Sequence, residues 1–235
     1  MTDFANQERT FLQQVLNQRM LICLCTGFAS GLPLYILFQL IPAWLRLEDV
    51  SLTAIGFFNA IQLPYVLKFL WAPLLERYSL PFLGRRRGWM LVIQVSLIFA
   101  IAALGWWKPS TELQAIVLVS IFIAIASATQ DVVLDAYRRE ILETEGELAL
   151  GNNLHVQAYR ISSLIPGSLG LFLIGVVDWH TNFVVMAAFM LVGVGLTLVI
   201  REPALVAPPP GTLRDAVRLP FVEFFQRRKL APALA

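Results

Sequence analysis

The sequence predicts an all-α membrane protein with six transmembrane helices and both chain ends on one side of the bilayer. Three observations predict it. Hydrophobic residues make up 57% of the 235 and charged residues only 14%, against about a quarter charged in a soluble domain. The mean hydropathy is +0.68, too apolar for a chain that wets its whole surface. The apolar residues also fall into long runs, each able to cross a hydrocarbon core of about 30 Å at 1.5 Å per residue.

The first two runs cover about Met20–Leu45 and Leu52–Leu75. The third and fourth cover about Gly88–Trp107 and Leu113–Ala136, the fifth and sixth about Asn153–Val177 and Thr181–Ile200. Strand-type alternation is absent, which leaves helices as the spanning elements. Pro33, Pro64 and Pro166 with Gly167 are expected to bend the first, second and fifth spans. A proline removes one backbone hydrogen bond and crowds the preceding turn.

Basic residues set the orientation. Fourteen of the eighteen Lys and Arg lie in the N-terminal tail, the loops after spans two and four, and the segment after span six. The opposite loops hold only Arg46 and Lys108. By the positive-inside rule both termini are cytoplasmic. Trp44, Trp106, Trp107 and Trp179 fall at the outer ends of spans, where an aromatic belt is expected. The chain thus divides into a cytoplasmic tail over 1–19, a six-helix transmembrane half-bundle over 20–200 and a cytoplasmic linker over 201–235. In the linker Leu213, Val217, Phe221, Phe224 and Phe225 recur at helical spacing among basic residues, the pattern of an interfacial amphipathic helix. An apolar stretch begins again at Leu230–Ala235, so a seventh span is expected beyond it.

The signatures of soluble chemistry are missing. No zinc pattern, P-loop or dinucleotide fingerprint occurs. Cys23 and Cys25 point to different sides of one helix, so no disulfide, metal or cofactor is expected, and no catalytic constellation is evident.

Charges inside spans are costly and mark function or pairing. Lys68, Asp131 and Arg160 lie about 10, 9 and 12 Å from the cytoplasmic boundary at 1.5 Å per residue. They share one level, so Asp131 is expected to pair with Lys68, Arg160 or both. Ser127, Asp131 and Asp135 share one face of the fourth span, with Gln130 beside them. The fifth span offers Asn153, Gln157 and Arg160, and the second Asn59 and Gln62. The first carries Gly27, Gly31, Tyr35 and Gln39 at four-residue spacing; its glycines suit close helix packing and its polar residues a cavity. The functional reading is a polar pathway, with cations to attract an anion and Asp131 or Asp135 to carry a proton. The alternative is a buried ion pair that fixes helix packing.

Several strings then point to a family: Gly27-Phe28-Ala29-Ser30-Gly31-Leu32-Pro33-Leu34, the stretch Lys68 to Tyr78, Pro81 to Trp89, Ser127 to Arg138, and Tyr159-Arg160. In this order they resemble the AmpG-type muropeptide permeases of the major facilitator superfamily, which are related to acetyl-CoA transporters. The resemblance runs from about Met20 to Pro203. It implies the N-terminal half-bundle of a secondary transporter in a bacterial inner membrane. That transporter would import anhydro-muropeptides, anionic glycopeptides, by proton symport for cell-wall recycling. Glu76, Arg77, Gly84, Arg85 and Arg86 resemble the superfamily's signature between helices 2 and 3, with Glu in place of Asp and a longer spacing. That resemblance implies a conformational latch; topology control alone also accounts for the arginines. The family has at least twelve spans, so a missing C-terminal half or a second copy is an expected partner, besides membrane lipid. The alternatives are a truncated, non-transporting interaction partner, a carrier of another anion such as an acyl-CoA, and a membrane-embedded enzyme.

Overall fold

The computed structural model describes residues 17–203, and among them the chain is helical without a strand. The expected interfacial helix in the linker lies outside the described residues. Helix α1 spans Gln18–Leu47, α2 Leu52–Leu70, α3 Arg85–Leu104, α4 Pro109–Ile141 and α6 Trp179–Val199; these five are long and apolar enough to cross a membrane. Helix α5 covers Glu145–Ile161.

The expected fifth span over 153–177 is not one continuous helix. After α5 come a turn, a π-helical segment at Ile165–Gly170 and a short helix at Leu171–Leu173. Pro166, second in the π-helical segment, has no N–H to continue the α ladder, and its ring crowds the preceding turn. The described residues therefore hold five helices long and apolar enough to cross a membrane, and a divided segment where the fifth span was expected. Helix α2 is broken as well: 3₁₀ turns at Phe58–Gln62 and Lys68–Leu70 bracket a helical turn that contains Pro64. A separate helix at Ala72–Arg77 follows, with Pro73 in its first turn.

Pro33 acts more subtly. It stays inside α1, and a π-helical turn at Ile36–Leu40 follows it. The proline cannot donate to the carbonyl of Ala29, four residues back. Gln130 of α4 fills that place, its Nε2 donating to the Ala29 oxygen at 2.9 Å. A backbone interruption in α1 thereby becomes a side-chain tie to α4.

Helices α1 and α4 form the centre, with Ser30, Leu32, Ile123, Ala124 and Ala128 buried. Helix α1 meets α5 through its glycines. A Cβ on Gly27 would collide with the backbone of His155, and one on Gly31 with the Tyr159 carbonyl and the Ser162 hydroxyl. Gly27→Val is expected to destabilise the bundle by about 1–3 kcal/mol through overpacking. The readout is a lowered thermal midpoint in detergent. Gly195→Ala, where a Cβ meets open space, is the control that should leave it unchanged.

The first and last described residues share one end of the bundle, which we call the terminal end. There Arg19 of α1 pairs with Glu143 and Glu147 across the α4–α5 turn at 2.6 and 3.0 Å. The Glu143 N–H and the Arg19 guanidinium hold the Glu147 carboxyl below the usual carboxylate range. At the opposite end Trp44, Trp179 and Phe183 cluster, and Trp179 Nε1 donates to Glu48 at 3.1 Å. Trp44, expected in the lipid-facing belt, is instead 1% exposed. Its place at a helix end suited the belt, but its side chain points inward onto Phe183. Trp106 remains 69% exposed.

Candidate functional site

The site is built around Asp131, about three turns before the end of α4. Its Oδ1 accepts from the Ser30 hydroxyl of α1 at 2.5 Å. Its Oδ2 faces the Lys68 ammonium of α2 at 3.5 Å. One carboxylate therefore ties three helices together. Lys68 sits in the 3₁₀ turn that interrupts α2, so its backbone does not follow a straight helix. One residue pair farther along, Trp71 Nε1 donates to the Thr129 hydroxyl at 3.1 Å, a second tie between the α2 segment and α4. The Asp131 side chain is 12% exposed and that of Lys68 32%, so the pair lies at the edge of a face the bundle leaves open.

Two more of the expected polar residues lie on α5. Gln157 and Arg160 are exposed, and among the described residues Arg160 makes no ion pair. Of the two partners expected for Asp131, only Lys68 is engaged. Residue rise fixed the common depth of the three charges but not the direction in which each side chain points. Asn153 and Gln62 are also exposed. Asn59 lies in a 3₁₀ turn of α2. Asp135 turns away from Asp131 to pair with Arg138 at 3.0 Å.

Tyr35 and Tyr159 meet edge to face, with ring centroids 5.5 Å apart, between the Asp131 level and the π-helical turn of α1. Beyond them Gln39 stands against Gly167, its Oε1 enclosed without a hydrogen-bond partner. The structure thus joins Ser30, Lys68 and Asp131, ties Gln130 to the Ala29 carbonyl, sets Tyr35 on Tyr159 and Gln39 on Gly167, and leaves Gln157 and Arg160 exposed. Ser30 went unremarked at the sequence level because the four-residue stripe of α1 runs through Gly27 and Gly31. Its signal was its place one helical level from Asp131 in a string of small residues.

A second charged cluster lies at the terminal end. Gly84 adopts φ +96°, a left-handed conformation suited to glycine, and α3 starts immediately after it. Arg85 and Arg86 both donate to Glu140 Oε1 of α4, at 2.6 and 2.8 Å. Glu202, just past α6, accepts from the backbone N–H groups of Arg86 and Arg87 at 2.7 and 3.1 Å. A carboxylate there satisfies open donors of the first turn and favours the positive end of the helix dipole. Arg77 stacks on the Tyr78 ring at 5.8 Å, and Glu76 is half-buried. Glu140 and Glu202 were not apparent from sequence, because they lie 54 and 116 residues from Arg86.

Among the described residues no group of three His, Cys, Asp or Glu side chains is placed to hold a metal ion. Cys23 and Cys25 are both free thiols.

A family model described as Major Facilitator Superfamily matches residues 23–235. An uncharacterized protein of Haemophilus influenzae is 46% identical over 223 residues, covering 94% of this chain and 52% of that one. The anhydromuropeptide permease of Escherichia coli is 40% identical over 218 residues, covering 92% of this chain and 44% of the permease. A putative transporter of Rickettsia typhi, AmpG 3, is 33% identical over 187 residues, 77% of this chain and 44% of its own. The chain spans about half the length of these curated relatives.

Proposed function

Because the chain belongs to the major facilitator superfamily, we propose that it supplies the first half of a secondary transporter that imports anhydro-muropeptides across a bacterial inner membrane. That family is one of transporters rather than enzymes, and the chain is a multi-pass membrane protein. Import is coupled to protons and serves cell-wall recycling. Both termini are cytoplasmic, which the fourteen-to-two distribution of basic residues supports.

The observation that carries the reading is the Ser30–Asp131–Lys68 junction. A titratable carboxylate within a span is expensive to keep and is retained where an ion or proton moves. Its cationic partner among the described residues is loosely set at 3.5 Å and partly exposed, so a solute anion can compete for Lys68. Arg160 and Gln157, exposed on α5, supply a further cation and an amide for a carboxylated glycopeptide. The half-bundle offers one wall of such a path. The second wall comes from a C-terminal half, or from a second copy, rocking about a midplane site.

The arginines of the loop after α2 work inside this half. They bind Glu140 of α4 and lie beside Glu202 after α6, so they fix α3, α4 and the end of α6 as one body.

The test is uptake of labelled anhydro-muropeptide into membrane vesicles that contain the full-length transporter. Accumulation is expected with an inward proton gradient and is expected to stop when the gradient is collapsed. No uptake in either condition would sink the transport reading, and uptake indifferent to the gradient would sink the coupling.

A further inference from the structure

We infer that a proton reaches Asp131 along the α2–α4 seam, through the hydroxyls of Tyr65 and Ser127, apart from the open face where a solute binds. The inference rests on the proton-coupled reading above. Tyr65 precedes Lys68 by three residues on α2, and Ser127 precedes Asp131 by four on α4. Both therefore stand one turn from the ion pair, on the side away from the terminal end. The Leu63–Leu67 turn of α2 packs on α4, and both hydroxyls lie within that seam. Both hydroxyl oxygens are enclosed, and neither is in hydrogen-bond geometry with a partner. Ser120, on the same α4 face farther from the terminal end, is fully buried and has an unpartnered hydroxyl too.

Three such hydroxyls need a reason. An enclosed, unsatisfied hydroxyl costs about 1–3 kcal/mol, and the same buried stretch of α4 uses alanine at 124 and 128 without that cost. A hydroxyl is at once a donor and an acceptor, so it can take up one proton while releasing its own. A cavity of about 400 Å³ lies between α2 and α4, walled by Phe58, Ile61, Pro64, Val117 and Ile121, and it reaches the residue next to Tyr65.

The step balances. A proton from the aqueous side opposite the chain termini adds to a hydroxyl oxygen of the relay, and that hydroxyl passes its original proton inward. The last O–H bond forms on the Asp131 carboxylate, and Tyr65 and Ser127 end unchanged. Lys68 keeps its charge and loses its counter-ion, which leaves it free for a solute carboxylate. The other groups facing Asp131 are Ser30 from α1, Asp135 on α4 and Tyr159 from α5. None of these lies on the seam.

The experiment compares two modes of transport by the full-length protein in vesicles, for Ser127→Ala, Tyr65→Phe and Ser127→Thr. Proton-driven accumulation is expected to fall about tenfold or more in the first two, as when a positioned proton-transfer group is lost. Solute counterflow at equal pH, which needs no net proton movement, should stay at the unsubstituted level with the same KM. Ser127→Thr keeps the hydroxyl and should retain accumulation. Equal loss of both modes, or loss of neither, overturns the route. Absence of both modes in the unsubstituted protein overturns the transport reading instead.

Discussion

Asp131→Asn in the full-length transporter is expected to lower proton-driven accumulation roughly a hundredfold or more, the scale of a lost proton-transfer group. Counterflow at equal pH should persist. The amide is close in shape and can still accept from the Ser30 hydroxyl, so the α1–α4 contact survives. It cannot titrate, and it offers Lys68 no charge. Lys68 then stands permanently without a counter-ion, the state that otherwise follows protonation. Solute affinity at equal pH should therefore hold or improve. Asp131→Ala is a harsher change, because Ser30 also loses its acceptor, and should reduce both modes. Asparagine at 131 with accumulation intact would overturn the assignment of the proton site. The measurement is the ratio of the two transport modes, with protein amount in the vesicles checked separately.

The second large effect is expected at Glu140. Its Oε1 receives Arg85 and Arg86 together, and the Arg86 side chain is only 5% exposed. Removing one member of a buried pair strands the other charge, at a cost of about 3–5 kcal/mol. Glu140→Ala should thus lower the thermal midpoint in detergent far more than Glu76→Ala, for which the structure shows no such partner among the described residues. Adding Arg86→Leu to Glu140→Ala should recover part of the loss, since the stranded charge goes with it. A midpoint unmoved by Glu140→Ala would show that Arg86 finds other support.

The helical class, the membrane setting and the Asp131–Lys68 pair were legible in the sequence. Long apolar runs and a fixed rise per residue encode depth directly. Azimuth is what they do not encode. Arg160 shares the level of Asp131 yet points outward, and Trp44 sits where a belt residue should yet points inward onto Phe183. Prolines marked the places where spans fail to be straight without showing the form of the failure. Pro166 divides the fifth span, whereas Pro33 leaves α1 continuous and frees a carbonyl for Gln130. The arginines after α2 were visible as a topology signal. Their partners were hidden because Glu140 and Glu202 are remote in sequence and unremarkable in their own surroundings. Residues that work as a local string were readable; those joined only by the fold were not.

The contact between Glu202 and the start of α3 has a consequence for biosynthesis. Arg86 leaves the ribosome 116 residues before its carboxylate partner, an interval of roughly 6–23 s at 5–20 residues per second. During that time the first-turn donors of α3 stay uncovered while α4, α5 and α6 are still being made. Glu140 arrives first, 54 residues behind Arg86, and takes the arginine side chains. Glu202 comes last and takes the backbone. The half-bundle is in this sense fastened in two clicks, the second only after the sixth helix has been threaded. Ribosomes stalled before and after residue 202 would catch the third helix in two different states of repair.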